Sequence, residues 1–169
     1  MTDLATLQAA QAPLKQRYVE DPASAVITLH ASGDLDSADV ACSVQTGQAL
    51  VAAGLHPATG GTGALACSGD MLLQALVACA GVTLRAVAIN RGIVISGTVR
   101  AEGELDFRGT LGVDRDAKVG FGKVRLIFDV ESDADAETLD KVIATTRRYC
   151  VVLQTLVDSP ELDVVLSRR

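Results

Sequence analysis

The sequence predicts an α+β fold, and three observations carry that prediction. Short β-type runs follow a helical start in the first third of the chain, a single long apolar stretch occupies its middle, and β-type runs followed by helical segments complete it. The resulting order, three strands, helix, three strands, helices and a last strand, lacks the regular strand and helix alternation of a parallel doubly wound sheet. With 169 residues, 49% hydrophobic and 21% charged, the chain has the size and apolar content of one domain over residues 1–169.

Leu4 to Tyr18 is rich in Ala, Gln and Leu and reads as a helix, broken or kinked at Pro13 and stopped by Asp21-Pro22. Residues 1–21 are therefore expected as a helical N-terminal extension. Ala25 to Ala31 is a strand candidate, Asp34 to Ser37 supplies turn residues, and Val40 to Gln45 and Ala49 to Ala53 follow as further strands. Gly54 to Gly63 reads as a loop because Pro57 and four glycines punctuate it.

Met71 to Ile89 is the predicted central helix. Leu72, Leu76, Cys79 and Thr83 share one face, with Leu73, Val77, Ala80 and Leu84 alongside, and so wide an apolar surface implies burial on more than one side. Val94 to Glu104, Leu105 to Leu111 and Lys118 to Val130 read as strands, the last with alternating Val124, Leu126, Phe128 and Val130. Ala136 to Arg148 is a helix, Cys150 to Val157 opens another, Pro160 breaks it, and Leu162 to Leu166 makes a last strand.

Composition excludes several function classes. Fifteen basic against twenty-one acidic residues give a net charge of -6, which repels phosphate backbones and argues against nucleic acid as a partner. Tyr18, Phe107, Phe121, Phe128 and Tyr149 do not interleave with a basic stripe. Residues 1–21 show neither a basic start nor a long apolar run, and Met71 to Leu84 is shorter than the roughly 20 residues that cross a bilayer. A cytoplasmic protein without membrane attachment is the expectation. His30 and His56 are isolated and no Cys-x-x-Cys pair occurs, so neither a metal nor another cofactor is expected. Gly60-Gly61-Thr62-Gly63 precedes a helix, but no Gly-Lys-Ser/Thr follows, and a plain loop is the simpler reading.

The chemistry-bearing residues are the cysteines at 42, 67, 79 and 150, read as free or redox-active thiols. A thiol reacts as thiolate and needs a cation or a helix start to lower its pKa. Cys67 lies just ahead of the helix start. Cys79, in mid-helix, reads on spacing alone as a small buried hydrophobe. Cys150 follows Arg147-Arg148-Tyr149, which brings cations near, though a surface turn with solvated arginines is an equally ordinary reading. Cys42, inside a strand, reads as structural.

The segment Ser68-Gly69-Asp70-Met71-Leu72-Leu73-Gln74-Ala75-Leu76-Val77-Ala78-Cys79 closely resembles the central-helix motif of the OsmC/Ohr family (osmotically inducible and organic hydroperoxide resistance proteins). Gly60 to Gly63 resembles that family's approach to the helix, and Tyr149-Cys150-Val151-Val152 with Gln154-Thr155-Leu156 its second-cysteine region. The resemblance implies strongly curved antiparallel sheets wrapped around the long central helix, in an intertwined homodimer with active sites at the interface. It implies a thiol-dependent peroxidase that reduces organic hydroperoxides, or hydrogen peroxide, in oxidative stress defence. Cys79 is then the peroxidatic thiol and Cys150 the resolving one, joined in a disulfide that an external dithiol reopens. The acidic position is Asp70, where relatives usually carry Glu. The activating arginine lies upstream of the helix in the family, which points to Arg17, with Arg147 and Arg148 as rivals. Val151 stands where many relatives have Pro, and Cys67 adds a third thiol as an alternative resolver. A non-catalytic member of the same fold, binding a small apolar molecule or sensing redox state, is the alternative reading.

Overall fold

The computed structural model describes residues 4–21, 32–34, 41–45 and 50–168. Along them run α1 (Leu4–Glu20), β1 (Ser32–Asp34), β2 (Ala41–Gln45), β3 (Leu50–Gly54), β4 (Ala66–Cys67), α2 (Ser68–Asn90), β5 (Ser96–Leu105), α3 (Phe107–Thr110), β6 (Phe121–Glu131), α4 (Ala136–Tyr149) and α5 (Val151–Val157). The α+β class expected from the sequence is the one observed. The strand expected over Ala25 to Ala31 lies outside the described residues.

The chain divides into two compact units, Met1–Leu73 with Glu102–Arg125 and Gln74–Ala101 with Leu126–Arg169. In the first, the sheet runs in the order β1-β2-β3-β4, antiparallel from β1 to β3 and parallel between β3 and β4. The loop before β4 holds a single 3-10 turn at Pro57–Thr59, closed by Gly60 in the left-handed region at φ 91°. Gly61 has no room for a side chain, because a Cβ there would fall on the Leu55 carbonyl.

In the second unit the core is one continuous stripe of α2. Leu76, Ala80, Leu84 and Ala88 recur every fourth residue and are all buried, so a single helical face meets the other elements. Leu84 and Ala88 pack with Ile95 and Val142, while Leu76 and Ala80 pack with Cys150. Val99 and Phe128 touch both groups and join them into one core. Asp135 starts α4 by accepting the Thr138 amide at 2.7 Å, and Glu137 and Lys141 pair one turn apart. Arg85 fastens α2 to the start of β5 through a 2.8 Å hydrogen bond to the Ile95 carbonyl.

Strands β5 and β6 form a two-stranded ladder. Arg100 pairs with Asp129, Glu102 with Arg125 and Glu104 with Lys123, numbers that rise on one strand as they fall on the other, so the ladder is antiparallel.

Several elements differ from expectation. Helix α1 continues through Pro13 to Glu20, because the good helix formers on both sides carry the turn over one missing amide donor. Residues 107–110 form a short helix in place of the expected strand from Leu105 to Leu111. Asp106 caps it by accepting the Arg108 amide at 3.0 Å, a local bond that competes with strand pairing. Strand β6 begins at Phe121, after the left-handed Gly120, instead of at Lys118. Helix α2 spans 23 residues and exceeds the apolar stretch read from Met71 to Leu84, long and apolar enough by composition to cross a membrane. Burial of α2 on more than one side is not met among the described residues, since Val82 is 72% exposed. The strand expected over Leu162 to Leu166 does not form. The segment carries no regular secondary structure and pairs with no strand of the described chain, and Leu162 and Val164 are 81% and 93% exposed.

Candidate active site

Cys79 and Cys150, 71 positions apart in the sequence numbering, lie in one apolar cluster of the second unit. Cys79 comes from the middle of α2, one residue before the buried Ala80, which leaves its sulfur half-buried. Cys150 is fully buried and sits at the break between two helices. Its amide donates to the Thr146 carbonyl at 2.9 Å and closes α4, while its carbonyl accepts the Gln154 amide at 2.9 Å and opens α5. Its own backbone is extended, at φ -73° and ψ 105°, and this corner turns the first turn of α5 toward α2. Gln154 secures the corner by donating from Nε2 to the Arg147 carbonyl at 2.8 Å.

The first amides of a helix have no partner within it. Here two of them, on Val152 and Val151, serve the sulfur of Cys79. Burial raises the Cys79 pKa. The hydrogen bonds from the Val152 amide, the Cys150 thiol, the Val151 amide and the Thr83 hydroxyl outweigh burial and hold it below the ordinary thiol value. Thr83 lies one turn beyond Cys79, with Oγ1 2.7 Å from the Cys79 carbonyl.

Cys150 moves the other way. Burial pushes its thiol pKa up, and the thiol's donation to Cys79 and the charge on the Cys79 thiolate add to the rise. The Leu153 and Val152 amides pull against this without cancelling it. The pair is therefore asymmetric, with a thiolate favoured at Cys79 and a neutral donor thiol at Cys150. Among the described cysteines Cys67, Cys79 and Cys150 are all free thiols. The arrangement suits a two-thiol redox couple, in which one sulfur is activated as nucleophile and the second is held beside it, protonated, to close a disulfide.

The remaining predicted residues lie elsewhere. Asp70 is in the first turn of α2, in the first unit, where it lines a cavity of about 340 Å³ with Cys67, His56, Phe107 and Phe121. Arg17 belongs to α1 in the same unit. Arg147 and Arg148 are exposed, and the Arg148 guanidinium lies 5.6 Å from the Tyr149 ring centroid. The groups that set the Cys79 pKa are all neutral. Sequence reasoning missed the Val151 and Val152 amides, whose signal was a cysteine placed directly between two helical runs. It also placed Thr83 on the face of Cys79 without giving it a role. Among the described residues no cluster of His, Cys, Asp and Glu has the makings of a metal site.

Residues 61–165 match the family described as OsmC-like protein. The chain belongs to this family. Solved OsmC-like structures share its fold at low sequence identity. The OsmC-like protein of Mycoplasma pneumoniae superposes with a TM-score of 0.65 at 17% identity, over 79% of this chain and 89% of that one. An organic hydroperoxide resistance protein OsmC from Legionella pneumophila gives 0.58 at 14% identity, over 79% and 91% of the two chains. The organic hydroperoxide resistance protein OhrB of Bacillus subtilis gives 0.51 at 16%, over 79% and 93%. No curated protein matches the chain by sequence. Within the OsmC-like family, then, this chain carries a long central helix bearing Cys79 and a second cysteine, Cys150, that the α4–α5 corner delivers to it.

Proposed function

We propose that this OsmC-like protein is a cysteine-based peroxidase that reduces organic hydroperoxides in oxidative stress defence, with Cys79 as peroxidatic and Cys150 as resolving thiol. The packing of Cys79 and Cys150 in one apolar cluster, with their thiol pKa values moved in opposite directions, is the observation that carries this reading. The names of the Legionella and Bacillus relatives, both hydroperoxide resistance proteins, support the substrate class.

In the proposed cycle the Cys79 thiolate attacks the outer oxygen of R-O-O-H. An S-O bond forms, the O-O bond breaks, and the departing alkoxide takes a proton to become R-OH. The Cys150 sulfur then displaces hydroxide from the Cys79 sulfenic acid, giving a disulfide and water. An external dithiol reduces that disulfide and restores both thiols, so each turnover converts one hydroperoxide and one dithiol into alcohol, water and a dithiol-derived disulfide. No further cofactor enters. Asp70 and Arg17 are proposed to complete the site in a homodimer, a role in which Arg17 would stabilise the thiolate and the alkoxide and Asp70 would orient it. The unpaired apolar segment from Leu162 to Leu166 and the exposed Val82 supply surface for such an assembly, in the cytoplasm and away from nucleic acid and membrane.

Thiol mapping by mass spectrometry, before and after one equivalent of cumene hydroperoxide, tests the proposal. The expected result is a rapid loss of two hydrogens mapped to a Cys79–Cys150 link and reversed by dithiol. Unchanged Cys79, or slow scattered oxidation of every cysteine, would overturn it. The second reading, a non-catalytic module for a small apolar molecule, draws support from a cavity of about 520 Å³ lined by Val77, Gly81, Leu84, Ile95 and Val130.

A further inference from the structure

We propose that Thr83 is a catalytic residue, whose hydroxyl donates to the Cys79 carbonyl while the thiol is neutral and turns its proton onto the Cys79 sulfur once that sulfur carries charge. This assignment rests on the peroxidase reading for its purpose, but not for its geometry.

A helical side chain lies over the turn that precedes it, so residue i+4 overhangs residue i. Thr83 stands in that relation to Cys79, and its Oγ1 is fixed at 2.7 Å from the Cys79 carbonyl. That bond sets the rotamer of a β-branched side chain and holds the oxygen above the turn in which the sulfur begins. A hydroxyl has one proton and rotates freely. With a neutral thiol below it, the carbonyl is the stronger acceptor. With a thiolate, the sulfur is the stronger acceptor, because hydrogen bonds to charged groups exceed neutral ones. The site is short of alternatives, since the other groups facing this sulfur, the Val152 and Val151 amides and the Cys150 thiol, are all neutral.

The same backbone bond occurs at Thr145 and Thr146, to Lys141 and Val142, where no thiol lies one turn back. A back-bond by itself is therefore ordinary. Thr83 differs in what stands four residues before it, and its hydroxyl also contributes to lowering the Cys79 pKa. In the proposed cycle the same hydroxyl faces the new S-OH group after the first step, where it restrains the sulfenic acid until the Cys150 sulfur displaces hydroxide from it.

The test compares the full-length wild type with Thr83→Val, which keeps the shape, and Thr83→Ser, which keeps the hydroxyl. Thr145→Val controls for the loss of a back-bond as such. The readouts are the thiolate titration of Cys79, followed by alkylation rate against pH with mapping, and the rate of sulfenic acid formation with cumene hydroperoxide in a single turnover. Thr83→Val is expected to slow alkylation of Cys79 at neutral pH by about three- to tenfold, with a raised titration midpoint, while Thr83→Ser and Thr145→Val behave as wild type. Wild-type titration in Thr83→Val, or failure of Thr83→Ser to restore it, overturns the assignment. Thr83→Ala answers the same question should circular dichroism show that Thr83→Val has lost its fold. If Thr83→Val shifts the titration but wild-type protein consumes no peroxide, the donation from Thr83 to the Cys79 thiolate stands, while the peroxidase reading and with it the catalytic role fall.

Discussion

Cys79 and Cys150 pack in one apolar cluster, and the interaction between their thiols is one of the causes that shift the two in opposite directions. It lowers the pKa of Cys79, the acceptor, and raises that of Cys150, the donor. An order of events follows from the same contact. When Cys79 is oxidised and loses its charge, the part of the Cys150 rise that comes from Cys79 disappears while burial remains, so the second thiol becomes easier to ionise after the first has reacted.

Removing the donor removes the effect. Cys150→Ala should raise the Cys79 pKa and slow its alkylation by iodoacetamide at neutral pH by about three- to tenfold, as expected for one charge-assisted hydrogen bond. Cys79→Ser should leave Cys150 slower to alkylate than a free thiol, because burial persists. Equal alkylation rates in wild type and Cys150→Ala would show that the contact does not operate in solution.

The pH dependence has a definite sign. Cys79 in the folded protein lies below its ordinary value of 9.0, so its contribution to stability is fully present above that value and lost as pH falls through the folded value. Cys150 lies above 9.0, so its contribution is fully present below that value and lost as pH rises through its folded value. Between the two folded values the pair carries one charge. Alkylation followed by mapping across this range should label Cys79 ahead of Cys150, and simultaneous labelling would contradict the asymmetry.

Leu76 supports the site from beneath. It is fully buried against Cys150 and Ala80, and Leu76→Ala should destabilise the protein by about 2–5 kcal/mol in urea unfolding. A loss well under that range would mean that the cluster refills the gap. Dithiol-reversible disulfide formation at Cys79 should slow in the same variant, since the wall that holds Cys150 in place is thinned.

Two glycines of the second unit predict opposite outcomes. Gly97 has φ 116° and its Cβ would fall on the Asp129 carbonyl oxygen, so Gly97→Ala should cost at least about 2 kcal/mol by distorting the start of the β5–β6 ladder. Gly81 lies mid-helix, and among the described residues nothing beyond its own helical backbone comes within 4 Å of an added Cβ. Gly81→Ala should therefore stabilise α2 by up to about 1 kcal/mol, read as a raised Tm. A lowered Tm would reveal that a second molecule covers this face.

Most of the helices were legible because their signals are local. The segment from Met71 to Ile89 announces itself by length and apolar density, and Ala136 to Arg148 by its amphipathic spacing, and both lie within observed helices. The strand pairs β2 and β3 were legible from short β-type runs. What misled was local composition without its partners. Leu105 to Leu111 looks like a strand until Asp106 is seen capping a turn, and Leu162 to Leu166 has strand chemistry but no neighbouring strand in the described chain.

By itself the sequence determined the α+β class, the central helix and, through the segment ending at Cys79, the OsmC-like family to which the chain belongs. Those properties are written in neighbouring residues, where spacing and chain order suffice. Only the tertiary structure decided how the thiols differ. Spacing alone favoured an inert Cys79, because nothing within a turn of it carries charge. Its lowered pKa comes mainly from Val152, Cys150 and Val151, about seventy positions away in sequence and brought to it by the extended corner between α4 and α5, with a smaller share from Thr83 one turn along the helix. A pKa answers to the groups around the sulfur in space, and that neighbourhood exists only once the chain has folded.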